Sequence, residues 1–163
     1  MKDDLERYLN DHLAGAASGV KLAKHLEETA NNTEEKLFYR DLVAEIENDK
    51  SLLTEIIEAA DFKVGRVRSA MSSSMSSAAM LRMDMHGSEV GELGRYEMTE
   101  LLTVGIHGKI LLWRTLGGIQ PPFSVWRHYN FAQLERAAAK QHDAIEDYRS
   151  REARLVFGST GGD

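Results

Sequence analysis

The 163-residue chain contains no cysteine. Disulfides, thiolate metal sites and cysteine nucleophiles are therefore excluded. Proline occurs only twice, as the adjacent pair Pro121 and Pro122. Positive charge is the minority: 20 Lys and Arg stand against 26 Asp and Glu, a net charge of -6. A protein that binds nucleic acid or an anionic membrane surface draws on clustered cations, so neither partner is expected. No run approaches the ~18 apolar residues of a membrane span. The first residues, MKDDLERYLND, are charged throughout, so no signal peptide is expected, and the default expectation is a cytoplasmic protein. G-x-S-x-G, P-loop, dinucleotide-binding and H-E-x-x-H motifs are all missing. Nothing defines a substrate pocket, so whether the chain is an enzyme stays open and no residue is assigned as catalytic.

What is present is helical periodicity. Hydrophobic residues make up 42% of the chain, enough for one globular domain, expected over residues 1–157 with a flexible tail at 158–163. Helix 1 is predicted from about Asp4 to Thr29, with Asp3 and Glu6 as a capping box. Its inward positions are Leu5, Tyr8, Leu9, His12, Ala16, Val20, Ala23 and Leu26. Its centre is small, Ala14 to Gly19, and Gly15 and Gly19 suggest close approach of another helix. Asn31, Asn32 and Thr33 form a turn, and Asn32 with Glu35 caps helix 2, predicted to about Ala60. That helix carries the stripe Phe38, Leu42, Ile46, Leu53, Ile56.

The next stretch is different in kind. A basic piece (Lys63, Arg66, Arg68) leads into a Ser/Met-rich run over residues 69–88. A further helical segment is predicted from about Phe62 to Met80. The methionines Met71, Met75, Met80, Met83 and Met85 read as gap-filling side chains in preference to a Cu(I) site. Ser88 is a candidate cap for helix 3, predicted to about Leu116 and ended by Gly117 and Gly118, with Pro121 and Pro122 beyond. Its predicted stripe is Leu93, Glu97, Glu100, Leu101, Val104, His107, Leu111. Trp113 and Trp126 are expected to pack over that end. Asn130 with Gln133 caps helix 4, from about Phe131 to Phe157. Its stripe is Phe131, Leu134, Ala138, Gln141 or His142, Ile145, Tyr148, Leu155. The charged faces of helices 2 and 4 read as solvated surface.

Helix, short turn, helix, long crossover, helix, short turn, helix resembles the ferritin-like superfamily of four-helix bundles, with one long, partly helical crossover between helices 2 and 3. The resemblance spans roughly residues 4–157. The string Tyr8 to Gly15, YLNDHLAG, is similar to the start of small bacterial ferritin-like proteins, which brings no activity with it. The superfamily implies a metal centre built from two Glu and two Glu-x-x-His motifs on four helices. Here Glu45-x-x-Asn48 and Ala139-x-x-His142 stand at the positions of those motifs, and helix 1 offers His12 in place of Glu. A homodimer is expected by the same analogy.

Five ionisable residues fall on or beside the inward stripes: His12, Glu45, Asp49, Glu100 and His142. At 1.5 Å per residue they lie roughly 17–25 Å from one end of the bundle, within one or two turns of each other. A carboxylate facing a helical core must be paired or bound to metal. Two readings follow. In one, the five hold a single Fe, Mn or Zn ion, with a stress-related or redox role. In the other, which the incomplete motifs favour, the chain is a structural or interaction protein that has lost a full di-iron site. Its polar residues then form a closed network, His12 with Asp49 and Glu45 with His142 or an arginine, and leave no cavity.

Overall fold

The computed structural model describes residues 2–65, 91–119 and 124–158. Four helices carry most of them: α1 (Lys2–Glu28), α2 (Thr33–Ala59), α3 (Glu92–Ile119) and α4 (Phe131–Phe157). A 3-10 turn, Ser124–Trp126, precedes α4. No strand occurs among the described residues, and the architecture is an all-α bundle.

The helix boundaries have local causes. The Asn32 side chain accepts a hydrogen bond from the Glu35 N–H at 2.9 Å. Glu35 reaches back, its Oε2 accepting from the Asn31 N–H at 2.7 Å. Asn130 accepts likewise from the Gln133 N–H at 3.0 Å. Each asparagine satisfies a first-turn donor that has no partner within its helix. Asp3 does not act this way: α1 is already helical at Lys2, and Asp3 and Asp4 lie in its first turn, where negative charge complements the helix dipole. At the end of α2 the chain turns through Asp61, at φ 56°. The Asp61 N–H donates to the Glu58 carbonyl at 2.9 Å and the Phe62 N–H to the Ile57 carbonyl at 3.2 Å. That double bond is a Schellman cap with aspartate where glycine is usual. Phe62 is buried beyond it.

Residues 62–65 are irregular, so the helical segment predicted from Phe62 does not begin there. Asn10 of α1 holds this stretch, donating to the Lys63 carbonyl at 3.0 Å and accepting from the Gly65 N–H at 2.6 Å. The rest of that predicted segment, the Met cluster and Ser88 lie outside the described residues.

α1 packs on α2 and α3 packs on α4, and the two hairpins meet chiefly along α1 and α3. The apolar core falls into two clusters. One holds Leu9, Leu13, Leu53, Ile56, Trp113 and Trp126. The other holds Val20, Leu26, Tyr39, Ile46, Leu102 and Ile145. The predicted stripes of α1, α2 and α4 mostly face these clusters, although Leu155 is 73% exposed. Trp126 is fully buried and donates from Nε1 to the Ile56 carbonyl at 2.9 Å, so the 3-10 turn closes the α2 end of the first cluster.

α3 is rotated from its predicted phase. Met98, Leu102, Ile106, Ile110 and Trp113 are buried, whereas Leu93, Val104 and Leu111 are exposed. Apolar residues occur on every side of this helix, so two stripes compete, and the one containing Met98 and Trp113 faces the core. α3 also runs through Gly117 and Gly118 to Ile119. Gly117 lies against α4: a Cβ there would stand 3.4 Å from the Phe131 Cβ, at ordinary contact distance.

Asp61→Gly is expected to stabilise the fold by about 0.5–1 kcal/mol, because glycine adopts positive φ without steric cost. Differential scanning calorimetry should show a rise in Tm of about 1–4 °C. An unchanged or lowered Tm would contradict the cap as described.

Candidate functional site

Between the two apolar clusters lies a polar layer. On α2 it falls between Ile46 and Leu53, on α3 between Ile106 and Ile110, and on α4 between Ala138 and Ile145. The residues there are Asp49, Lys109 and Gln141. The Lys109 ammonium donates to Asp49 Oδ2 and to Gln141 Oε1. Gln141 in turn donates from Nε2 to Glu45 Oε2 at 2.6 Å. One lysine from α3 therefore ties α2 to α4. The Lys109 side chain is 13% exposed and that of Asp49 is 25% exposed, so the pair is largely shielded from water. Removing one partner from such a pair leaves an uncompensated charge, which costs far more than a surface ion pair contributes.

The five residues expected to share a site are distributed over this layer and the surface. Glu45 and Asp49 belong to the Lys109 chain and line a groove of about 560 Å³ between α2 and α4. His12 packs edge-on against Tyr8, ring centroids 4.6 Å apart. It lines a second cavity, with Asp49 and Lys109 on its wall. Glu100 is 52% exposed, 3.6 Å from Arg149, a consequence of the rotated α3. His142 sits edge-on to His107 at 5.4 Å and 3.8 Å from Asp143. Among the described residues no three His, Asp or Glu side chains come together in a group that could hold a metal ion. The pairings also differ from those expected: Asp49 takes Lys109 in place of His12, and Glu45 takes Gln141 in place of His142. The donor set does not fit a di-iron centre: of its two inward acids, Asp49 is paired with the Lys109 ammonium and Glu45 accepts a hydrogen bond from the Gln141 amide.

A cavity does remain, of about 340 Å³, between α1, α2 and α3. Small residues create it. Gly15 of α1 and Gly105 and Gly108 of α3 line it, and a Cβ added at any of the three would meet nothing within 4 Å. Of the glycines that line it, only Gly19 meets side chains of other helices, Leu102 and Ile46, at 3.8 and 3.9 Å from where its Cβ would be. The cavity walls are mainly apolar, among them Ile46, Leu53, Leu102, Ile106 and Trp113. Trp113 is 1% exposed, and its indole N–H has no acceptor among the described residues. Burial holds the His12 imidazole below its ordinary value of 6.5, against a smaller opposing pull from Asp11.

A second polar cluster, with no counterpart in the sequence reading, lies at the α1–α2 turn end. Arg95 of α3 donates to Glu35 Oε1 and, from Nη1, to the Thr29 carbonyl at 2.7 Å and hydroxyl at 2.6 Å. Both Arg95 and Glu35 are buried. Beside them the Tyr39 and Thr99 hydroxyls are 2.7 Å apart. Burial, seconded by the negative potential of Glu152, holds the Tyr39 phenol well above its usual range. Glu152 of α4 is itself pushed above 4.5, by burial first and then by Glu35, with Thr99 and Arg95 opposing. Its Oε2 and the Arg95 Nε are both buried without a partner among the described residues. The sequence signal was Glu35 as a capping residue and Arg95 on the correct phase of α3, three residues before Met98.

In comparison with known proteins the chain matches no family model, no curated protein and no solved structure.

The two shifted groups predict opposite pH dependences. His12 binds a proton less readily folded than unfolded, so its contribution is present above pH 6.5 and is lost as pH falls below it. Glu152 holds its proton more tightly folded than unfolded, so its contribution is present below pH 4.5 and is lost as pH rises through its raised value. Urea midpoints measured across pH should show His12→Gln losing less stability than the parent on acidification from neutral pH. Glu152→Gln should abolish the loss on raising pH from 4.5. Parallel profiles for parent and variants would contradict both assignments.

Proposed function

We propose that the chain is a structural or interaction protein on a ferritin-like plan, in which Lys109 takes the place of a resident metal. The observation that carries this reading is the chain Asp49, Lys109, Gln141, Glu45. In a metal-binding bundle, inward acids on facing helices are compensated by a cation brought from solution. Here the compensating cation is covalently part of α3. It serves the same electrostatic end, offsetting carboxylate charge between two apolar clusters. The long connection from α2 to α3, residues 60–91, agrees with the one-crossover order of such bundles. The exposed face of α3 with Leu93, Val104 and Leu111 is the surface a second copy would cover in a homodimer.

A second reading has one observation in its favour: His12 and Asp49 line the same cavity. A single Fe, Mn or Zn ion that displaced the Lys109 ammonium would find an imidazole and a carboxylate there.

Thermal melting of chelator-treated protein separates the two. The first reading expects Zn(II), Mn(II) and Fe(II) to leave the Tm of the parent unchanged. Lys109→Ala frees the Asp49 carboxylate and the Gln141 carbonyl, and is the variant expected to respond. Its gain at 100 times the dissociation constant is about 2.7 kcal/mol, or about 5–10 °C. A shift of that size in the parent would overturn the proposal and establish the second reading.

A further inference from the structure

The solvent side of α3 is patterned as well as apolar. Leu93, Val104 and Leu111 are 51%, 51% and 45% exposed. With Glu97, Glu100 and His107 they recur along the helix at steps of four, three, four, three and four residues. Alternating fours and threes is the heptad repeat of a seam that faces another helix. The buried side of α3, from Met98 to Trp113, is a different stripe, and the bundle already uses it. α3 therefore carries one seam inside and a second outside.

The outer seam is complementary to its own reverse. Its midpoint falls at residue 102. Leu93 and Leu111 stand nine residues either side of it, Glu97 and His107 five, and Glu100 and Val104 two. Two copies of α3 packed antiparallel about a two-fold axis set leucine against leucine at both ends. Each Glu97 carboxylate then meets an imidazole, and each Glu100 meets a valine. Glu100 brings its own compensation, because Arg149 of the same chain stands 3.6 Å away. A parallel pair would stack Glu97 on Glu97 and Glu100 on Glu100, and like charges set opposite each other repel. Sliding the antiparallel pair by one heptad sets Leu111 against Glu100 in one direction and Glu97 against Glu100 in the other. Only the centred register pairs apolar with apolar and acid with imidazole.

From the heptad spacing and its match on reversal, we propose that a second copy of this chain docks on the outer face of α3 as an antiparallel helix pair, with Leu93 against Leu111 and Glu97 against His107 of the other copy. The inference deepens the structural or interaction reading, on which it rests, by naming the partner and the contacts. The leucines and valines leave water on association, and the charged positions select the direction and the register. One helix face about 27 Å long makes a small interface, so the dimer dissociates on dilution.

Sedimentation velocity of the full-length chain should show a monomer–dimer equilibrium that moves with concentration. Val104→Glu sets a second acid opposite Glu100, twice in each dimer, and should raise the dimer dissociation constant at least about tenfold. His107→Glu sets two acids together and should weaken the dimer, whereas His107→Lys keeps opposite charges and should associate at least as tightly as the parent. The chain has no cysteine, so engineered thiols report contacts directly. Leu93→Cys protein mixed with Leu111→Cys protein should oxidise to a dimer of one chain of each, and neither variant alone should cross-link, because a disulfide needs Cα atoms within about 7 Å. Circular dichroism and Tm of each variant confirm folding first. A parent that stays monomeric up to about 1 mM, or a folded Val104→Glu that dimerises as the parent does, overturns the docking. Single variants that cross-link as readily as the mixture, or His107→Glu associating as tightly as His107→Lys, overturn the antiparallel match. A monomeric parent whose Tm ignores divalent metal would sink this docking and leave the Lys109 reading standing; a dimer whose Tm rises with metal would do the reverse.

Discussion

A single lysine bridging opposite sides of a helical interior is the constraint on which this bundle turns. Lys109 departs from α3, and its ammonium reaches an acid on α2 and an amide on α4. Hydrophobic clusters lie above and below that level. Apolar packing is tolerant of sliding and rotation, because one leucine substitutes for another at little cost. A charge largely removed from water is not tolerant. If α3 turned by one position or slid by one turn, the ammonium would lose both partners. The pair therefore selects one register for three helices, even where an apolar replacement would be as stable.

The Arg95 and Glu35 pair repeats the principle nearer the α1–α2 turn. There the glutamate also caps α2, joining the start of that helix to the start of α3. Two polar levels on α3, fourteen residues apart along the helix by the numbering, fix its rotation at two heights. Between them α3 places Gly105 and Gly108 opposite Gly15 of α1, and the cavity follows. Had only apolar contacts held α3, the rotated alternative with Leu93, Val104 and Leu111 inward would be a close competitor.

That competition explains how much of the structure was legible in the sequence. α1, α2 and α4 each have one apolar stripe against a charged remainder, and their buried faces are readable from spacing. Asn32 and Asn130 announce helix starts because a side-chain acceptor three residues before a free N–H has a direct physical role. α3 has apolar residues all round, so periodicity alone could not choose its face, and Glu100 was placed inside by the same misphasing. Lys109 escaped notice because lysine is rarely buried, although it sits three residues after Ile106 and four before Trp113. Gly15 and Gly19 were read as contact points and Gly117 as a helix end. Gly19 and Gly117 lie against neighbouring side chains, but Gly15 borders empty space, as Gly105 and Gly108 do. A glycine's lack of side chain is visible in a sequence; whether a neighbour fills the gap depends on helices elsewhere in the chain.

The most direct test of the central claim is the coupling between Lys109 and Asp49, from a double-mutant cycle with Lys109→Met and Asp49→Leu in urea unfolding. The account predicts that each single change is more destabilising than the pair together, with a coupling energy of about 1–3 kcal/mol. Additivity within about 0.5 kcal/mol would show that the ammonium and the carboxylate do not hold each other, and would contradict the account.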